Sequence, residues 1–434
     1  MFSGAFLLGT RFVWFFFLFI SFWPWEKDTD QLKKTSLAIP KDPSLLQTVR
    51  VALFYEKPKV SIGTKSPYEI QGLPGRKPLT QGSTLALTPV RPDASGIRLG
   101  PALYPVSGLR ITSRTKEVEI ENRKYHNVIE VLKNPVGSLT VVNEIDVEDY
   151  LKGVLPSEMK PTWPREALKA QAVISRTYAI YENIENKDFP FSLGSDVGTQ
   201  VYGGKLVEHP DASRAVQETR GQILIHRGKI FPAFFHSTCG GMTTRADYQW
   251  RVQAHPSLRG VECPFCAGSD YYAWKAEFSS SEIRNRLARK GKRVGGIKKI
   301  TLDEIDLSGR PRFFVVKHEG GSLKIPANDF RVALGPDRLR STRVRVEEKG
   351  DSFLFRGRGW GHGVGLCQYG AKHLAELGYR YADILRYYYP DSEIRNLEEF
   401  RSLAAGSLPS GVEAREGNWV KSWFGKVKSY IDDL

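Results

Sequence analysis

Cysteine and methionine are scarce, with four and three in 434 residues. Four cysteines are too few for a disulfide-built scaffold, and a chain of this length can bury a sizeable core without one. Acidic residues are also short, 48 against 63 Lys and Arg, which leaves a formal net charge of +15. No nucleic-acid motif accompanies the surplus, so nucleic acid is not an expected partner. Anionic envelope polymers and lipid headgroups are the better match, beside the plainer reading of a well-solvated surface. There is no internal repeat, which removes solenoid architectures. What is abundant is apolar mass: 41% hydrophobic residues, with 9 Trp, 18 Tyr and 23 Phe, mark a folded chain.

The N-terminus lacks two further things. Its apolar run Phe12 to Trp23, preceded by Arg11, is shorter than the ~20 residues of a comfortable membrane span. The segment ends Ser21, Phe22, Trp23, Pro24, Trp25, without the small-residue site that a signal peptidase needs. The expectation is an uncleaved signal anchor over residues 1–25 rather than a cleaved signal. It would hold the body at the membrane, outside the cytoplasm, on the periplasmic or wall side.

Composition shifts divide the rest. Residues 26–45 are polar and linker-like. Over 46–137 short β-type runs (VRVALFY, IRLGPALYPV, KEVEIENRKY, NVIEVLK) alternate with turn signals, and 71–95, rich in Gly and Pro, reads as a loop. A mixed core is expected over 138–395 and a second linker over 396–412. In the tail 413–434, Trp419, Val420, Trp423, Phe424, Val427, Tyr430 and Ile431 share one face of a basic amphipathic helix. That helix would lie on a membrane or pack on the body. The fold class is α+β: a β-rich N-terminal region followed by an α+β core with a groove.

The most informative stretch is Asp146 to Tyr178, DVEDYLKGVLPSEMKPTWPREALKAQAVISRTY. Val147, Tyr150, Leu151 and Val154 recur with helical spacing, Asp146 suits an N-cap, and Glu148 and Asp149 suit the first turn. Pro156 is expected to end this helix, and Pro164 to open a second, Ala-rich one reaching about Tyr181. Glu158 then falls in a stiff turn between them. Apolar neighbours such as Leu155 and Met159 would raise its pKa, which suits a general acid. Most loop carboxylates are simply solvated, so the residue gains weight only from its company.

That company is PSEM, KAQAVISRTYA, GTQVYGG, HSTCGGMT and GWGHGVGLCQYGA, in this order. Together these motifs resemble the family of stage II sporulation protein D and the LytB amidase enhancer, from about Val51 to Ile394. The resemblance implies a peptidoglycan lytic transglycosylase that cuts glycan strands, stripped of stem peptides, with Glu158 as its single acid/base. The muramic acid's own 6-hydroxyl is the nucleophile in such an enzyme, so no second carboxylate is required. Asp196 is the best second carboxylate if hydrolysis occurs instead. The rival reading is a non-catalytic wall-binding activator of an amidase, and a zinc-organised envelope scaffold is a third.

Gln171, Ser175, Arg176 and Tyr178 on the second helix are candidates to brace the Glu158 loop or bind sugar, and Gln200 and Tyr202 to line a glycan groove, Tyr202 as a stacking face. The alternative is that they form a structural hydrogen-bond network. Glycines at 357, 359, 361, 363, 365 and 370 let a loop approach the acid closely. His362 in that loop is a candidate to orient Glu158 or touch substrate. Family members often carry Ser where this chain has Cys367. Finally, His236-x-x-Cys239 and Cys263-x-x-Cys266 have the ligand count and spacing of a structural zinc site. A disulfide remains an alternative for an exported chain, with Cys367 as the fourth cysteine, and so does a redox-active CxxC.

Overall fold

The computed structural model describes residues 32–40, 42–196 and 198–404. The expected N-terminal anchor and the basic tail helix lie outside the described residues. Among the described residues no helix is long and apolar enough to cross a membrane.

Two sheets form the β-rich N-terminal part, as expected of a mixed α+β chain, antiparallel except where Leu193–Gly194 joins Thr48–Lys57 in parallel. One has six strands in the order Arg123–His126, Glu117–Ile120, Val60–Thr64, Leu85–Asp93, Gly96–Leu99 and Ala102–Tyr104. The other runs Leu193–Gly194, Thr48–Lys57, Leu139–Asp146, Val128–Lys133, Gly108–Ser113, Tyr68–Leu73 and Lys77–Gly82. Alternate residues from both, such as Ile62, Val90 and Ile120 from the first and Ile70, Ile111 and Val131 from the second, enter one apolar cluster. The polar face of the second sheet carries cross-strand pairs of opposite charge. Arg110 lies opposite Glu130 and Glu144 opposite Arg50, joined into one ion network at 2.6–3.0 Å. Residues 71–95, expected as a loop, supply three of these strands. Pro78 is accommodated because Lys77–Gly82 is an edge strand with a neighbour on one side only.

The strand Leu139–Asp146 runs straight into helix α1, Val147–Glu158. Asp146 caps it as expected, its side chain accepting the Glu148 N–H at 2.9 Å. Pro156 does not end α1: it sits inside the last turn, where its missing N–H costs only one bond close to the helix end. Glu158 is therefore the last residue of the helix, not part of a free turn.

Helix α2, Arg165–Glu185, is buried on almost every side. Its alanines let α1, the strand Gln222–His226 and the later helices pack closely around it. α3 spans Pro210–Glu218, and α4 is the single turn Ala246–Gln249. The hairpin Gln222–His226 to Lys229–Ile230 turns at Arg227 and Gly228, both with positive φ (48° and 72°), as its two-residue turn requires.

A second apolar cluster occupies the segment that follows. It holds Trp274, Phe278, Phe314, Phe330 and Phe355 around α5, Ser280–Ala288, and α6, Ala327–Leu334. Two three-stranded sheets flank it. The chain enters on Ala273–Ser279 and leaves on Ser352–Arg358, which pair antiparallel with Ala273 opposite Arg358. This part is an insert with its own core. It is pinned to the body by Arg310, which is wholly buried and donates to the Cys239 and Met242 carbonyls at 2.6 and 2.8 Å. After the glycine-rich loop come α7, Gln368–Glu376, α8, Tyr381–Tyr388, and α9, Leu397–Ala404.

Candidate functional site

Glu158 ends α1 half-buried, between α2, the segment around Val201 and the start of α7. Burial pushes its carboxyl up from 4.5 to about 7. The negative end of α1 works in the same direction. Two donors oppose the shift without cancelling it: the Val201 N–H, 3.1 Å from Oε1, and the side-chain amide of Gln368. These bonds fix the carboxyl in place. A proton on Glu158 near neutral pH is what a general acid needs.

Behind the acid lies a chain of polar side chains. The Gln368 amide reaches Gln171 Oε1 at 3.4 Å, Gln171 donates to Ser175 Oγ at 3.0 Å, and Gln200 donates to the Ser175 carbonyl at 3.4 Å. The Tyr150 hydroxyl donates to Gln200 Oε1 at 3.2 Å. Gln171, Ser175 and Gln200 have no exposed surface. They brace the acid and cannot touch sugar, which corrects their expected role as substrate contacts.

Arg176 is corrected more sharply. It is turned to Glu148 instead, forming a bidentate buried pair at 2.9 and 2.7 Å. Its remaining donors go to the Gln222 and Val216 carbonyls at 3.0 and 3.3 Å. The arginine locks α1 to α2 and α3. Tyr202, expected as a stacking face, is buried against Tyr150 and Tyr125, and its hydroxyl donates to Asn143 Oδ1 at 3.0 Å. Gly153 makes room for it, since a Cβ there would stand 2.6 Å from its ring.

Burial pushes the phenol of Tyr178 well above the usual value, with the Glu182 charge the next contributor and the Glu158 charge a lesser one. Its ring meets Phe234, which in turn meets Trp250 and His362. His362 therefore sits in an aromatic nest, separated from Tyr178 by the Phe234 ring. Its Nδ1 accepts the Val364 N–H at 3.1 Å, and burial holds the ring neutral. Gln368 fills the orienting role expected of His362. Asp196 is exposed and accepts the Gly198 N–H at 2.8 Å in a tight turn, without a hydrogen bond to Glu158.

The cysteines come together. The Sγ atoms of Cys239, Cys263, Cys266 and Cys367 all lie within 4.8 Å of one another, buried and free of disulfides. The fourth member is Cys367 and not His236, which turns its Nδ1 to the Val364 carbonyl at 3.1 Å. The sulfurs of a tetrahedral zinc site, bound at about 2.3 Å, stand about 3.8 Å apart, so this set fits. Backbone amides already point at the sulfurs: Gly241 N–H at Cys239, and Gly370 and Cys239 N–H at Cys367, at 3.3–3.4 Å. Such bonds favour thiolate. Burial pushes Cys263 and Cys367 up, while Cys266, hydrogen-bonded by Cys239, is driven down. Arg310 of the insert brings a positive charge beside the cluster.

The cluster also bears on the acid. Cys367 is the N-cap of α7, its sulfur accepting the Gly370 N–H, and Gln368 is the next residue. Whatever fixes Cys367 fixes the amide that holds Glu158. Gln368 and the Val201 amide carry no signal of their own in the sequence, and Cys367 enters there only as the fourth cysteine of a disulfide. Gln368 and Cys367 are neighbours in the LCQYG stretch.

Comparison with known proteins agrees with this architecture. A family model described as stage II sporulation protein matches residues 136–226, which carry Glu158 and its network apart from Gln368. A second, a domain of unknown function (DUF8618), matches 265–365, the insert and the start of the glycine-rich loop. The chain is 36% identical over 258 residues to an uncharacterized protein of Brachyspira hyodysenteriae, spanning 59% of this chain and 68% of that one. It is 27% identical over 288 residues to the amidase enhancer of Bacillus subtilis, spanning 56% and 40%. Against stage II sporulation protein D of Bacillus subtilis the identity is 31% over 274 residues, spanning 60% and 77%. The chain belongs to the stage II sporulation protein D family.

Proposed function

We propose that this chain is a peptidoglycan lytic transglycosylase acting on denuded glycan strands, with Glu158 as acid and then base. The observation that carries the reading is the desolvated carboxyl, raised to about 7 and gripped by the Val201 and Gln368 amides. In the first half-reaction its proton passes to the glycosidic oxygen as the C–O bond breaks. In the second, the Glu158 carboxylate takes the proton of the muramic acid 6-hydroxyl as that oxygen closes on the anomeric carbon, leaving a 1,6-anhydro end. The nucleophile is intramolecular, so one carboxyl suffices. Asp196, exposed and engaged in its own turn, is not needed.

Cys239, Cys263, Cys266 and Cys367 would hold a structural zinc that fixes the start of α7 and hence Gln368. The N-terminal segment would keep the protein at the membrane with its core outside the cytoplasm, which a carbonate wash and N-terminal sequencing would test. The second reading, a wall-binding activator of an amidase, is favoured by the relative named amidase enhancer. Incubating the purified chain with denuded sacculi separates the two: 1,6-anhydromuramyl ends support the enzyme, and their absence supports the activator.

A further inference from the structure

With Tyr202 buried, the site described so far offers a glycan few stacking surfaces. Half-exposed rings lie elsewhere. Trp163, in the turn after Glu158, meets Tyr369 at 5.0 Å between centroids. Tyr369 follows Gln368 directly and meets Tyr271 at 5.9 Å, which meets Trp360 at 4.5 Å. All three contacts between neighbours are edge-on, and all four residues keep part of their surface in solvent. The strip thus runs from the acid to the junction between the glycine-rich loop and the insert.

Its far end is cationic. The Arg340 guanidinium lies 5.2 Å from the Trp360 ring and 5.8 Å from Tyr271, and Arg358 lies 5.6 Å from the ring of Tyr272. Arg343 stands beside them, donating to the Gly240 carbonyl. Among the described residues none of these three arginines is ion-paired. Arg340 reaches only the Asp337 carbonyl, at 3.3 Å. The exposed Asp270, next to Tyr271, engages none of them. At the near end Lys372 lies over Trp163 but is tied to Glu376 at 3.1 Å.

We propose that Trp163, Tyr369, Tyr271 and Trp360 form an extended glycan-binding strip, and that Arg340 and Arg358 of the insert read a free sugar carboxylate. The inference rests on the reading of Glu158 as a glycan-cleaving acid. Pyranose rings offer an apolar C–H face to aromatic side chains, and a half-exposed guanidinium without a partner suits a carboxylate bidentately. In peptidoglycan the lactyl carboxylate of muramic acid is free only where the stem peptide has been removed. A denuded strand matches this surface, whereas a peptide-bearing strand would present an amide to the arginines.

The test uses the full chain carrying Glu158→Gln, so that nothing is cleaved. Binding is followed by tryptophan fluorescence with denuded strands, with the same strands after methyl esterification, and with N-acetylglucosamine oligomers of equal length. Denuded strands should bind about tenfold tighter than either neutral ligand, the worth of a charge-assisted contact. Adding Arg340→Gln and Arg358→Gln should abolish that difference while leaving the neutral oligomers unaffected. Equal binding of native and esterified strands would overturn the proposal, and this comparison needs no variant beyond Glu158→Gln. Carboxylate-dependent binding by a wild-type chain that makes no anhydro ends would refute the transglycosylase reading alone. Anhydro ends made without carboxylate dependence would refute the strip alone.

Discussion

Replacing Glu158 by Gln perturbs two quantities in opposite directions, and both follow from one carboxyl. In the unfolded chain this group titrates near 4.5, and in the folded protein near 7. Its folded pKa is raised, so the folded state is favoured fully below 4.5 and that contribution is lost as pH rises through 7. The integrated cost is about 1 kcal/mol at pH 5 and about 3 kcal/mol at pH 8, an upper bound because the half-buried carboxyl keeps some contact with water. Glutamine fills the same space and can keep the Val201 N–H bond, but it never ionises. The variant should therefore match the wild type in stability at pH 4 and exceed it at pH 8, with a midpoint several degrees higher. Glycan cleavage should fall ~10²-fold or more, the usual cost of losing a general acid. Melting curves at the two pH values, with anhydromuramyl release from denuded sacculi, test the pair. Wild-type kcat/KM should decline above pH 7, as the acid loses its proton. A variant that cleaves as well as the wild type, or one destabilised equally at pH 4 and 8, would refute the assignment.

Other consequences follow. Gln368→Ala removes a donor that favours the Glu158 carboxylate; the alkaline limb of the pH–rate profile should move to higher pH, with kcat down about tenfold. Arg176→Met strands Glu148 in the interior and should cost about 3–5 kcal/mol in denaturant melts, a loss where Glu158→Gln gives a gain. Elemental analysis should find about one zinc per chain, lost in Cys367→Ser as in Cys263→Ser but retained in His236→Ala. Chelation should lower the melting temperature of the wild type, since structural zinc contributes several kcal/mol to folding.

Local chemistry was legible in the sequence where one segment decides it. Asp146 capped its helix, and the turn at Arg227-Gly228 formed, because the answer lies within a few residues of the signal. The mixed α+β class followed from alternation and helical spacing for the same reason. Pro156 misled because a proline costs little in a final helical turn. Residues 71–95 misled because their prolines and glycines suggest loops, yet Pro78 sits on an edge strand while Pro89 and Pro92 lie within Leu85–Asp93, which is paired on both sides. The long-range partners were invisible. Nothing in KAQAVISRTYA says that Arg176 faces Glu148 while Gln171 faces Gln368, 197 positions away. The ligand set failed likewise: spacing paired His236 with Cys239, but the fold brought Cys367 across 128 residues to within 3.3 Å of the Cys239 amide.

The insert leaves the body and returns to it on two hydrogen-bonded neighbouring strands, Ala273 facing Arg358, with Cys266 just before it and Cys367 just after. To the body, some eighty residues are topologically a hairpin turn. Closing so long a loop costs only slowly growing entropy once its ends are joined, and the four sulfurs are placed to join them. The insert can therefore be lengthened, trimmed or exchanged over evolution without re-registering a strand of the part that carries Glu158. A different module on the same stem would present different side chains beside an unchanged Glu158.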